Sequence, residues 1–190
     1  MVPGNATWLF EKVFVDLIAR LTHMDAANFI YHTPHGPIYG LIGNTGLRRL
    51  VLPDPEHPLH PYILHSRPNH LLGRRLHMLL EQYFAGVVTV FSEISLELDD
   101  ATPFQRRVWR ATASIPYGRT VAYGELAGII GLKKAARAVG QALKRNPVPI
   151  VIPCHRVVSA SGVPGGFSAP AFWKTLLLEL ERSACRVESD

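Results

Sequence analysis

The sequence predicts an α+β protein, on three observations. Strand-like pieces punctuated by turn residues fill the first half, a capped helix followed by a helix, a tight turn and a basic helix fills much of the second, and an amphipathic helix closes the chain. At 190 residues with 47% hydrophobic content, the chain can fill one large domain or two small ones, which excludes general disorder.

In chain order, Leu9, Val13, Leu17 and Leu21 recur at four-residue intervals, so residues 7–22 read as an amphipathic helix. Strands follow over 28–33, 37–43 and 47–52, separated by the hairpin punctuation Pro34-His35-Gly36 and Asn44-Thr45-Gly46. Residues 53–66 hold Pro53, Pro55, Pro58 and Pro61 and read as an exposed connector. Its His57, His60 and His65 could face a metal, but flexible proline loops pre-organise ligands poorly and no carboxylate or thiol completes a tetrahedral set. No metal is expected. A helix over 67–84 comes next, then a strand in which Ile94, Leu96 and Leu98 alternate with Ser95, Glu97 and Asp99. Residues 99–101 read as a boundary between an α+β unit with an added N-terminal helix (1–101) and a mostly helical unit (102–190); there is no internal repeat.

The second unit opens on a strong start signal: Thr102 as N-cap, Pro103 at the first helical position and Gln105 completing a capping box. Phe104, Val108 and Ala111 face inwards. Pro116-Tyr117-Gly118 turns the chain, and a short helix over 123–130 stops at Gly131. In a further helix over 133–145, Ala135, Ala138, Val139, Ala142 and Leu143 make the core face, and Lys134, Arg137, Gln141 and Lys144 line the other. Helix, tight turn and basic helix describe a helix-turn-helix. Ala136 and Gly140 lie on or beside the polar face. Glycine lowers helix propensity by roughly 1 kcal/mol, so close approach of the Gly140 backbone to a partner surface explains it better than propensity does. The last helix buries Trp173, Leu176, Leu177, Leu180 and Ala184, with Glu181 at the margin of that stripe.

The net charge of +5 is unevenly placed: residues 1–101 carry 7 Lys and Arg against 10 Asp and Glu, and residues 102–190 carry 13 against 5. That asymmetry suggests a polyanion partner for the second half, against the plainer reading of a solvated basic face. The apolar stretch from Trp8 to Leu21 contains Glu11, Lys12, Asp16 and Arg20, which rules out a membrane span there and argues against a cleavable signal. Two cysteines, Cys154 and Cys185, without paired spacing give neither a disulfide framework nor a zinc site, and a cytoplasmic location is expected.

The stretch around which the chain is organised is Asn146-Pro-Val-Pro-Ile-Val-Ile-Pro-Cys-His-Arg-Val157. Prolines 147, 149 and 153 stiffen it into a buried, non-helical approach that delivers Cys154 beside His155. A cysteine held so is either an inert core residue or a nucleophile. An ordinary thiol, with a pKa of about 8.5, is only a few per cent ionised near neutrality, and the adjacent histidine favours the second reading. On an extended segment neighbouring side chains point apart, so a water bridge between them is more plausible than direct contact.

Pro153-Cys154-His155-Arg156-Val157 resembles the signature of the O6-alkylguanine-DNA alkyltransferases, the methylated-DNA–protein-cysteine methyltransferases. The resemblance runs ungapped from Thr102 to Glu181, through Thr-Pro-Phe-Gln at 102–105, Pro-Tyr-Gly at 116–118, Val-Ala-Tyr at 121–123, Ala-Ala-Arg-Ala-Val-Gly at 135–140, Asn-Pro-Val-Pro at 146–149 and Gly-Gly-Phe-Ser at 165–168. It implies a ribonuclease-H-like sheet in the first half. It also implies a helix-turn-helix that enters the minor groove of double-stranded DNA, and flipping of an O6-alkylguanine, with O4-alkylthymine as a second candidate lesion. Cys154 would take the alkyl group irreversibly, with His155 as base, Glu181 orienting the imidazole and Asn146 tying the DNA-binding region to the cysteine segment. Arg137 would fill the gap left by the rotated nucleotide, and Tyr123 would assist rotation and bond the flipped base. Lys134, Ala136, Gly140, Gln141 and Lys144 would meet the DNA, and Val157, Phe167 and Ser168 the base. No cofactor is implied, since the DNA itself is the alkyl donor, and a monomer is expected.

Two departures stand out. Phe167 replaces a tyrosine usual in the family, leaving the Ser168 backbone as donor near the guanine oxygen, and Ala169-Pro170 replaces the usual Gly-Gly and stiffens the pocket lip. The cysteines of a zinc site seen in some relatives have no counterparts here. A non-enzymatic lesion binder and a sequence-specific transcription factor are the alternatives. Cys154 argues against the first, and the Cys-His pair would have no purpose in the second.

Overall fold

The computed structural model describes residues 26–56, 62–63, 70–162 and 167–187. The expected helix over 7–22, the histidines at 57, 60 and 65 and the Gly165-Gly166 pair lie outside them.

The first half is built on an antiparallel meander, β2 (Phe29–Thr33), β3 (Gly36–Ile42) and β4 (Leu47–Val51), ordered β2-β3-β4. The register pairs Phe29 with Gly40 and Leu41 with Arg49, and shifts between Leu41 and Ile42. Asn28 closes that irregularity: its amide donates to the Ile42 carbonyl and accepts from the Ile42 N–H, both at 2.8 Å. Short strands β1 (Ala26–Ala27) and β5 (Tyr62–Ile63) pair in parallel. Helix α1 (His70–Phe84) buries Leu72, Leu76, Leu79, Leu80 and Tyr83, spaced at helical period on one face.

The strand expected over Ile94–Asp99 is not formed. Leu96 makes a single parallel bridge to Leu47, and Ile94 is 4% exposed where Leu96 is 36%, the reverse of one shared buried face. The segment crosses Gly46 so closely that a Cβ there would lie 2.6 Å from the Ser95 carbonyl. The chain is in turns on either side of the bridge, so the ladder cannot extend.

In the second half, α2 (Pro103–Ala113) starts at the expected box: Gln105 N–H donates to the Thr102 hydroxyl while the Gln105 side chain accepts from Thr102 N–H. Val108 is buried, Phe104 and Ala111 are half-buried against the core, and the Trp109 indole donates to the Ala142 carbonyl at 2.9 Å. Strand β6 (Val121–Ala122) leads into α3 (Tyr123–Ile129), which ends before Gly131 at φ +72°. Helix α4 (Ala136–Lys144) begins later than expected, because the 2.8 Å bond from Ala135 N–H to Leu132 carbonyl keeps Lys133 and Lys134 in the turn. Val139, Ala142 and Leu143 form its buried face. Ala138, expected there too, is exposed, since at 3.6 residues per turn it falls at the edge of the stripe that Val139, Ala142 and Leu143 define.

Residues 146–153 fold into a tight turn rather than an extended strand. Ile152 N–H donates to Val148 carbonyl at 2.9 Å, and buried Ile150 sits at φ +72°. A β-branched residue pays roughly 1–3 kcal/mol for that conformation, a strain typical of functional segments. Cys154–Arg156 make one turn of 3₁₀ helix, and β7 (Val157–Val158) then pairs in parallel with β6. Helix α5 (Ala171–Val187) buries Trp173, Lys174, Leu177, Leu178 and Glu181. One buried cluster runs from Phe29 to Leu177 through both halves.

Candidate active site around Cys154

Cys154 is 2% exposed. Its Sγ accepts from Asn146 Nδ2 at 3.1 Å and lies 3.4 Å from Ser168 Oγ, while the same Asn146 amide donates to the Ile152 carbonyl at 2.8 Å. Burial raises the thiol pKa. The hydrogen bonds from Ser168 and Asn146 and the Lys174 charge act the other way.

His155, next in the 3₁₀ turn, is fully buried and its pKa is lowered by that burial. Its Nε2 is 2.7 Å from Glu181 Oε1. Glu181 is ionised, so the neutral imidazole carries its proton on Nε2 and leaves Nδ1 as the basic nitrogen. Nδ1 is buried with no hydrogen-bond partner among the described residues. No direct hydrogen bond joins Sγ to the imidazole among the described residues, and the local backbone is 3₁₀ rather than extended.

Glu181 lies in the middle of the buried face of α5, 1% exposed, and not at its margin. Burial would raise its carboxyl, but hydrogen bonds and charge from His155 and Arg156 outweigh this and hold it at about 2. Oε1 accepts from Tyr83 hydroxyl at 2.7 Å and from Arg156 Nη2 at 3.0 Å; Oε2 accepts from Arg156 Nε at 3.0 Å and from Gly118 N–H at 2.9 Å. With the imidazole neutral, Arg156 is the permanent counter-ion, and its Nη1 donates to the Ile115 carbonyl at 2.6 Å.

The 6-O-methylguanine DNA methyltransferase DNA-binding domain matches residues 103–183. The methylated-DNA–protein-cysteine methyltransferase of Mycobacterium leprae is 51% identical over 104 residues, which are 54% of this chain and 61% of that one. The constitutive methyltransferase of Bacillus subtilis is 45% identical over 105 residues, 54% and 62% of the two chains. The matched region thus spans about three-fifths of these relatives. The crystal structure of Mycobacterium tuberculosis OGT in complex with DNA superposes with a TM-score of 0.69 at 38% identity, covering 82% of this chain and 92% of that one. This chain belongs to the methylated-DNA–protein-cysteine methyltransferase family. The O6-methylguanine DNA methyltransferase of Methanococcus jannaschii aligns with 81% of it at 29% identity and a TM-score of 0.57.

Strands β6 and β7 carry the remaining family motif residues to the cysteine. Their register sets Val121 opposite Val157 and Ala122 opposite Val158, so Tyr123, first in α3, starts beside the residues that leave the Cys154 turn. Val157 has its side chain fully buried, and its carbonyl accepts from Lys174 Nζ at 2.6 Å. Phe167 is half-buried against the core. Arg137, Lys134, Gln141 and Lys144 are exposed, and Ala136 and Gly140 half-buried. A Cβ at Gly140 would meet only the Tyr123 ring at 3.7 Å, so packing within the chain does not demand a glycine there.

Sequence reasoning missed three members of the site. Lys174 is 1% exposed, with Nζ 3.4 Å from the Tyr123 hydroxyl and 5.6 Å from its ring centre. Burial lowers its pKa to about 8, against the pull of Cys154. It lies seven residues before Glu181 on one apolar face, and that paired charge in a buried stripe was a readable signal. Arg156 stood inside the quoted motif without a role. Tyr83 belongs to the first half, and nothing local marks it. Among the described residues, no group of His, Cys, Asp or Glu could hold a metal, and no helix is long and apolar enough to cross a membrane.

Proposed function

We propose that this chain repairs O6-alkylguanine in double-stranded DNA by moving the alkyl group irreversibly onto Cys154, so that each molecule reacts once. The observation that carries this reading is a buried free cysteine, anchored by Asn146, next to a histidine whose Nε2 is committed to Glu181 and whose Nδ1 is left basic. Sγ–H gives its proton, through a water, to Nδ1. The thiolate pair forms an S–C bond with the alkyl carbon as the C–O6 bond breaks and its electrons pass to guanine; the guanine anion recovers a proton from the imidazolium through solvent. The Lys174 ammonium supports the thiolate. The product is a thioether with no usable leaving group, so no step within the chain restores the thiol.

An alkyl carbon within the base stack cannot reach a buried thiol, so the nucleotide must rotate out. We assign α3, the following turn and α4 as a helix-turn-helix in the minor groove, with Lys134, Arg137, Gln141 and Lys144 facing DNA and Arg137 filling the space left behind. Ala136 and Gly140 permit close approach, Tyr123 meets the flipped base, and Val157, Phe167 and Ser168 line its pocket. The DNA-bound M. tuberculosis relative supports DNA as the partner. We assign residues 102–190 to DNA binding and transfer, and residues 1–101, with a ribonuclease-H-type sheet, to a supporting unit of a cytoplasmic monomer. O4-alkylthymine is the second lesion class, and no cofactor takes part.

Mass spectrometry after incubation with duplex containing O6-methylguanine tests the reading. Methyl groups removed should plateau at about one per chain, all on the peptide holding Cys154. Continued turnover, or methylation of Cys185, would overturn it.

A further inference from the structure

We propose that Tyr83, from the half of the chain outside the matched DNA-binding domain, is a positioning residue that holds the Glu181 carboxylate and thereby sets how readily His155 takes up a proton. It rests on the transfer reading above and extends it to a residue of α1.

The geometry is specific. The Tyr83 hydroxyl is fully buried, 2.7 Å from Glu181 Oε1 and 3.3 Å from His155 Nε2. Its ring is fixed by edge contacts with Phe84 and Tyr117 and a tilted contact with Phe91, at centroid distances of 5.5, 5.7 and 5.8 Å. Burial, reinforced by Glu181, pushes the phenol well above its ordinary pKa, so it stays protonated and donates. The two short bonds to Oε1 come from Tyr83 and His155, each at 2.7 Å, and so compete for the same oxygen. Arg156, through Nε and Nη2, and Gly118 N–H supply the other donors.

Two effects of the hydroxyl on the imidazole oppose each other. Donation to Oε1 withdraws negative charge from the atom that stabilises the imidazolium and lowers its proton affinity. Acceptance from Nε2–H would raise it, but that contact is 3.3 Å long and the Nε2 proton is already directed at Glu181 at 2.7 Å, so donation wins. The other charged or titratable groups around this pair are Arg156 and Cys154, from the 3₁₀ turn, Lys174, from α5, and Tyr117, from the turn after α2; all of them are retained when the Tyr83 oxygen is removed.

The same half also meets the cysteine segment and α5 through backbone acceptors and donors: Leu50 N–H of β4 donates to the Pro147 carbonyl, and the Trp173 indole donates to the Pro53 carbonyl, each at 2.8 Å. Tyr83 is the contact that reaches the reacting groups themselves.

The test is Tyr83→Phe in the full chain, read by histidine NMR and by single-turnover methyl transfer from about pH 5 to 9, with His155→Asn assigning the resonance. The His155 midpoint should rise by roughly 0.5–1 pH unit. The transfer rate should fall several-fold on the acid side and converge with the parent at high pH. Superposable titrations, or a lower midpoint, overturn the assignment, as do two imidazoles neutral throughout with superposable rates. If Tyr83→Phe does not fold, incorporation of 3-fluorotyrosine, a stronger donor that keeps every ring, must lower the midpoint; an unmoved midpoint overturns the proposal. A parent protein that shows the imidazole shift on substitution but transfers no methyl refutes the transfer reading and leaves the Tyr83 assignment standing. Transfer with coincident profiles does the reverse.

Discussion

Replacing Glu181 by glutamine puts a neutral amide where a carboxylate accepts from Tyr83, His155, Arg156 and Gly118 N–H. One end of the amide can accept only part of that set, and its NH₂ faces donors. Arg156, 5% exposed, loses its counter-ion. Breaking a buried pair on one side costs about 3–5 kcal/mol. The titration of Glu181 acts in the same direction: a carboxyl held at about 2 is one whose ionised form the fold stabilises. At about 2–4 °C per kcal/mol for a chain of this size, Glu181→Gln should melt roughly 6–20 °C below the parent at pH 7. Because the folded pKa is depressed, this stability is fully present above 4.5 and is lost as pH falls towards 2. The gap between parent and variant should therefore be constant above about pH 5 and narrow below it. Thermal melting of both proteins across that range is the assay. A difference under about 2 °C at pH 7, or one as large at pH 3 as at pH 7, would refute the account of Glu181 as the anchor of a buried ion-pair network.

Arg137→Ala should slow transfer from duplex DNA at least tenfold more than transfer from a free O6-alkylguanine base, since only the duplex requires extrusion of a few kcal/mol; equal losses measured on both substrates would remove Arg137 from that role. Alkylation of Cys154 should destabilise the protein, because the residue is 2% exposed and its Sγ lies against Asn146 and Ser168. Overpacking of about 1–3 kcal/mol corresponds to a melting temperature lower by roughly 2–12 °C, with benzyl exceeding methyl, and an unchanged or higher value would show that the adduct has free space.

Local signals in the sequence determined the elements whose causes are local. The Thr102/Gln105 box starts α2, Gly131 at φ +72° stops α3, and the Pro34-His35-Gly36 and Asn44-Thr45-Gly46 turns set the meander, because capping and turn geometry involve residues only a few positions apart. Adjacency in sequence also exposed Cys154 and His155 as a chemical pair. Where a neighbour distant in the chain decides, the sequence was silent or misleading. Leu96 reads as strand by alternation, yet pairs at one position only because Gly46 is pressed against Ser95. The approach to Cys154 reads as extended from its prolines, yet the buried surroundings hold Ile150 at positive φ and fold it back. The buried carboxylate network shows the same division: Cys154 and His155 were legible from their adjacency and Glu181 from the family resemblance, whereas Tyr83 enters from α1 and meets Glu181 across 98 positions. Which hydroxyl reaches a buried carboxylate depends on how α1 packs against α5, and that packing is settled by the shared core rather than by any pattern within either helix.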